Sequence, residues 1–277
     1  MTNGPVKFSR QPDLERTTLV VSWTTDPLGL GEGVTDYLNT KLGNEPFCEI
    51  EPADFFQLEG VQIANDVVQF PESKFYAGPR KDLVVLRSAP PRFDWYRFLS
   101  LMLDVAQEQC HVAELYVIGG MVSLVPHVAA RELLGNFGSE EMKESLAGYN
   151  MSFTWNYETP PGQRPTLNSY LLWAAKKRNI PSVALWVPVP FYLASSGDPK
   201  AQLRVLEFFN RKLNLCMSFD DLDEEVRKQN RSITRAREES EEINDSISKI
   251  ERGETLSAEE SQKLASGIER SLLISRE

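Results

Sequence analysis

Apolar residues recur along this chain with two different periods. Runs that are apolar at nearly every position, or alternate, span Thr17 to Trp23, Phe47 to Glu51, Val61 to Phe70, Asp82 to Arg87, Glu114 to Gly119, Met151 to Trp155 and Ser182 to Val187. Between them, three-and-four spacing marks Gly31 to Leu42, Trp95 to Cys110, Pro165 to Asn179 and Pro199 to Leu213. A strand apolar on both faces needs cover on both, so the alternation predicts a three-layer α/β/α domain around a mainly parallel or mixed sheet.

The helix assignments rest on named stripes. Trp95, Phe98, Leu99, Met102 and Val105 fall on one helical face, as do Leu167, Tyr170, Leu171 and Ala174. Asp198-Pro199 combines an N-cap acceptor with a proline at the first helical position, where its missing N–H costs nothing. Just before it, Ser182 to Val187 runs into Pro188-Val189-Pro190-Phe191-Tyr192, and the two prolines are expected to stop the strand. Ligands and partners of α/β proteins gather at such carboxyl ends, which makes Pro190 and Tyr192 candidate site residues.

Beyond Phe219 the character changes. Asp220 to Glu277 has no aromatic residue and carries sixteen acidic against ten basic side chains. This divides the chain into a polar extension over 1–16, a core domain over 17–219 and an acidic helical extension over 220–277. Leu222, Val226, Ile233, Ala236, Ile243, Ile247 and Ile250 make a weak heptad seam interrupted at Gln229 and Ser240; Gly253 breaks it. Ser257 with Glu260 reads as a capping box for a further helix, so the extension is predicted to form a helical hairpin.

Composition narrows function. The 277 residues are 41% hydrophobic, enough for a substantial core, and a net charge of −10 argues against nucleic acid or anionic membranes as partners. Three scattered cysteines, Cys48, Cys110 and Cys216, suggest neither disulfides nor a metal centre. With no signal-like or membrane-length apolar stretch, a cytoplasmic protein is expected.

Candidate chemistry is sparse. Gly29-Leu30-Gly31-Glu32-Gly33 imitates a dinucleotide loop with its third glycine one position early, so a structural turn is the favoured reading. Gly119 and Gly120 close an apolar strand and permit close backbone approach, and they lead to His127 and Arg131. His127 would serve acid–base work at neutral pH, yet no partner carboxylate or nucleophile stands at a diagnostic spacing. Asn156, Glu158 and Arg164 lie in a turn-rich segment, a second candidate for binding a polar ligand. No catalytic residue, metal ligand or cofactor is assigned.

The order of these segments resembles the proteasome assembly chaperone family, in particular prokaryotic relatives of its second eukaryotic member. The matching landmarks are Ile118-Gly119-Gly120-Met121 with Val125-Pro126-His127, the Tyr157 to Gly162 segment, Val187-Pro188-Val189-Pro190-Phe191-Tyr192, and Asp198-Pro199-Lys200-Ala201. The resemblance implies a core similar to purine nucleoside phosphorylases, homo-oligomers, trimers favoured, and proteasome subunits or another protein as partner. Phe191 stands where many relatives have histidine, which removes a titratable group from the junction. The sequence closes Ile274-Ser275-Arg276-Glu277 instead of the hydrophobic-Tyr-any tail with which family members dock on the proteasome, so docking by that route is not expected. The expectation is a non-enzymatic, assembly-chaperone-like interaction protein. The alternative is an enzyme or sensor that binds a nucleotide-like small molecule at the strand ends.

Overall fold

The strands of the computed structural model are β1 (Val6–Phe8), β2 (Thr17–Trp23), β3 (Glu45–Ile50), β4 (Gln62–Ala64), β5 (Val67–Gln69), β6 (Ser73–Ala77), β7 (Leu83–Ser88), β8 (Val112–Ser123), β9 (Leu134–Phe137) and β10 (Ser182–Pro190). Its α-helices are α1 (Leu30–Leu42), α2 (Trp95–Asp104), α3 (Glu140–Ser145), α4 (Leu167–Lys177), α5 (Pro199–Leu213), α6 (Asp220–Glu239), α7 (Glu241–Glu251) and α8 (Ala258–Ile274). Residues 4–24, 26, 28–51, 54–56, 62–64, 66–152 and 158–274 are described. Among them, no helix is long and apolar enough to cross a membrane.

Eight strands form one sheet in the order β1-β3-β6-β7-β2-β8-β10-β9, and β4 pairs with β5 apart from it. β2 is buried at every position and runs parallel to both β7 and β8, whereas β1, β3, β6 and β7 pair antiparallel in turn. The sheet is mixed and carries flanking helices, which makes this an α/β fold, as the two periods predict. β2, α1 and α5 fall within a residue of their expected limits, because strong end signals surround each.

Other elements depart from the limits that the pattern predicts. β10 continues through Pro188 to Pro190. Prolines two apart aim their missing donors at the same side, and Val189 still serves the other. β8 likewise runs on through Gly119 and Gly120 to Ser123. The Val61–Phe70 run divides, within its described residues, into two short strands around Asp66, whose φ of 64 makes the turn. Of the Met151–Trp155 run only Met151 and Ser152 are described, and Ser152 bridges Leu134. β6 went unforeseen because its buried set is only Ser73, Phe75 and Ala77, too short an alternation to stand out.

Chain packing defines two compact units. The first comprises Met1–Asp26, Gly31–Gly119 and Leu134–Leu185, and the second Pro27–Leu30, Gly120–Leu133 and Trp186–Glu277. In the first, α2 buries Phe98, Leu99, Met102 and Leu103, and Phe98 meets Phe55 and Phe56 edge-on at 5.3 and 5.6 Å. Trp23 donates its ring N–H to Asn168 Oδ1 at 2.6 Å, which satisfies a buried amide on α4.

In the second unit, the extension forms three helices where a hairpin was expected. Ser240 takes an extended conformation and its hydroxyl caps Ile243, so α6 stops and α7 begins at the interruption visible in the seam. The capping box is present: Ser257 donates its N–H to Glu260 Oε2 at 2.8 Å, and Glu260 N–H reaches Ser257 Oγ at 3.2 Å. Ile233, Ile247, Leu264, Ile268 and Leu272 are buried, and α8 packs on α6, on α7 and on the turn Phe191–Leu193. The acidic extension is thus built onto the strand-end junction.

Candidate functional site

The segment Leu124–Leu133 leaves β8 with no helix or strand of its own to satisfy its backbone, so side chains must do so. Arg131 supplies most of that need. Its Nε donates to Asp198 Oδ2 at 2.6 Å, with both side chains 1% exposed. Its Nη1 donates to the carbonyls of Pro126 at 3.2 Å and Ala129 at 2.8 Å, and its Nη2 to that of His127 at 3.4 Å. The other carboxylate oxygen of Asp198 accepts from the N–H groups of Lys200 and Ala201 and starts α5. One carboxylate thus caps a helix and neutralises the cation that holds the loop.

Lys200 points back at the same loop. Its ammonium donates to the carbonyls of His127 at 2.8 Å, Val128 at 3.2 Å and Ala129 at 3.4 Å. Burial, reinforced by Arg131, lowers its pKa. Two cations therefore secure four consecutive carbonyls, and geometry rather than sequence pattern identifies Lys200 and Asp198 as parts of this cluster.

His127 is buried, and its backbone N–H donates to Tyr192 Oη at 2.7 Å while Nδ1 lies 3.0 Å from the same oxygen. Burial above all, then Arg237 with Lys200 and Arg131, lowers the imidazole pKa to about 4, and Glu251 opposes them. The ring is consequently neutral at pH 7. Since Tyr192 already accepts from the backbone, the network assigns its hydroxyl as donor to Nδ1 and leaves the ring proton on Nε2. Burial raises the Tyr192 hydroxyl to about 12. Neither group changes charge near neutrality, so what this pair does chemically is hold a loop.

The remaining candidates divide. Gly119 is buried within β8, and a Cβ on Gly120 would come within 2.6 Å of Leu28 Cδ1, so Gly120 lets the Leu28 side chain pack close against the strand. Pro190 ends β10 in the core. Glu158 and Arg164 are exposed ahead of α4 in the first unit, separate in the chain's division from His127, Arg131 and Tyr192. Asn156 lies outside the described residues. In the glycine motif, Gly31 lets α1 approach Ser22, whose Cβ would stand 3.2 Å from an added one, and Glu32 pairs with Arg87 at 2.7 Å. An acid at a helix start repels a phosphate, which supports the reading of a structural turn.

The clamped loop carries its apolar side chains outward. Val122, Leu124 and Val128 are 58%, 53% and 56% exposed, and no residue from Gly120 to Ala130 is charged. A cavity of about 450 Å³ opens beside the α5 start among Ser196, Gly197, Gln202, Glu225 and Lys228. Among the described residues no group of three or more His, Cys, Asp or Glu could hold a metal ion.

The sequence pattern that defines the PAC2 family matches residues 30–237, which take in the loop, the junction and α5. The chain belongs to the PAC2 family. No curated protein matches it. Among solved structures, a Mycobacterium tuberculosis protein of unknown function is 19% identical with a TM-score of 0.73, over 100% of this chain and 98% of that one. PbaB of Pyrococcus furiosus, an archaeal proteasome activator, is 23% identical with a TM-score of 0.65, over 82% and 95%. A proteasome-assembly chaperone homologue of M. tuberculosis is 18% identical with a TM-score of 0.66, over 79% and 94%. At such identities the likeness is one of PAC2 fold.

Proposed function

We propose that this PAC2 protein is a non-enzymatic, cytoplasmic assembly-chaperone-like protein that works as a homo-oligomer, as a trimer in the favoured case, and binds proteasome subunits. Its contact surface is the loop Gly119 to Arg131 with the junction Pro188 to Tyr192, supported by Gly120, His127, Arg131, Pro190 and Tyr192. The segment around Glu158 and Arg164 belongs to the same proposal as a second contact.

One observation carries the reading. Arg131, Lys200 and Tyr192 bond the backbone of Pro126 to Ala129, so that Val128, with Leu124 before it and Val122 at the end of β8, stands exposed beside a segment fixed before any partner arrives. A surface ordered in advance loses less entropy on association, which is what repeated partner capture needs. The similarity to PbaB, an archaeal proteasome activator, and to the M. tuberculosis proteasome-assembly chaperone homologue supports the choice of partner.

Crosslinking and pull-down from the source cell tests it. Wild type is expected to recover proteasome subunits, and a Val122→Asp, Leu124→Asp, Val128→Asp variant to lose them. Recovery of no protein partner, or of the same set by both chains, overturns the reading.

A further inference from the structure

A second surface lies in the first unit. Exposed aromatic rings are costly to leave in water, and a soluble protein usually scatters them. On α2 and α4 they gather. Tyr96 and Trp173 are 58% and 44% exposed, with ring centroids 6.3 Å apart. Trp173 also stacks on Tyr170 at 5.3 Å, their planes 21° apart, and Tyr170 stands 6.1 Å from Trp95. The ribbon is anchored at one end, where Trp95 donates its ring N–H to the Pro91 carbonyl at 2.7 Å.

Its charge is one-sided along α4. That helix contains no acidic residue and ends in Lys176 and Lys177, both exposed, and the Lys177 ammonium lies 5.8 Å over the Trp173 ring. The neighbouring guanidinium groups are engaged locally, Arg97 with Asp54 and Arg178 with Asp104. Cations at a helix end suit the dipole, but the dipole gives no reason for stacked, half-exposed rings beside them. In a chain of net charge −10, a ring surface edged by lysines complements an acidic, partly apolar segment.

We infer that the α2–α4 aromatic face docks an extended acidic peptide of a partner protein. Apolar or proline side chains lie on Tyr96 and Trp173, and carboxylates reach Lys176 and Lys177. Single-stranded nucleic acid would also stack on such rings, but a regular run of phosphates needs a track of cations, and the end of α4 supplies only Lys176 and Lys177.

Panning a phage-displayed random peptide library on the full chain supplies the probe. Enriched sequences are expected to be net acidic and to contain proline, aliphatic or aromatic residues. In anisotropy titrations of an enriched peptide, Trp173→Ala and the double variant Lys176→Glu, Lys177→Glu should each bind at least ~10-fold more weakly, about 1.4 kcal/mol. Added salt should weaken wild-type binding. The lysine variant changes only exposed side chains, so it decides the matter even if Trp173→Ala folds poorly. The inference is overturned if no sequence enriches, if enriched peptides are neutral or basic, or if both variants bind as wild type does. Competition by a single-stranded oligonucleotide overturns it too, as does a wild-type oligomer that Trp173→Ala dissociates, since a nucleic acid or a second copy would then own the face.

Discussion

Arg131 meets Asp198 at 2.6 Å with both side chains 1% exposed, and Arg235 meets Glu239 at 2.7 Å with 70% and 62% exposed. The groups and distances are nearly alike, but the surroundings differ. Water already solvates the second pair, so forming it gains little. The first pair has given up its hydration and depends on its partners for compensation. Contact distance therefore says little about how far a PAC2 structure depends on a contact, whereas burial says much.

Replacing Arg131 by methionine is the severest way to test that contrast. It leaves the buried Asp198 carboxylate without its cation and takes one donor each from the carbonyls of Pro126, His127 and Ala129. A loss of about 4 kcal/mol is expected, read as a lower urea midpoint. A shift no larger than a surface substitution gives would end the comparison.

Acid should weaken the same region by a separate route. The folded His127 pKa is about 4 against an ordinary 6.5, so between those values the unfolded chain binds the proton that the folded one refuses. Stability from this group is intact above pH 6.5 and falls as pH drops through 6.5 toward 4. The whole change is about 3 kcal/mol. Urea midpoints at pH 7.5 and pH 5 should differ less in a His127→Gln variant than in wild type. Equal slopes would show that the imidazole is not shielded. In the extension the exposed carboxylate of Glu260, drawn down to about 2 by Lys249 and Ser257, titrates well below that window.

Tyr192→Phe keeps the ring and removes the oxygen that serves both the His127 N–H and Nδ1. Leaving two buried polar groups without their partner should cost about 2 kcal/mol. Faster amide hydrogen exchange at His127 would accompany it. Unchanged protection there would mean that the loop is held by its cations alone.

Sequence made some of this legible and not the rest, for reasons visible in particular residues. Asp198-Pro199 announced α5, and Ser257 with Glu260 announced α8, because a cap is a local signal read within four residues. His127, Arg131 and Tyr192 stood out as sparse polar groups near glycines and prolines. That Arg131 would meet Asp198, 67 positions away, depends on how β8 and β10 deliver two loops to one place, and no local pattern encodes that. The exposure of Val122, Leu124 and Val128 was hidden for a related reason. An apolar run looks the same whether a fold covers it or not.

The smallest effect belongs to the extension's surface. Arg235→Ala removes an i,i+4 pair from α6 whose two side chains remain largely in water. Lost attraction is offset by better hydration of Glu239 and by the freedom of two long side chains no longer held in one geometry. The urea midpoint at physiological salt should stay within error of wild type, and so should its dependence on added salt. A shift approaching that of Arg131→Met would mean that exposure does not set the worth of these ion pairs. The extension's charges would then have to be counted as a cooperative network across α6, α7 and α8.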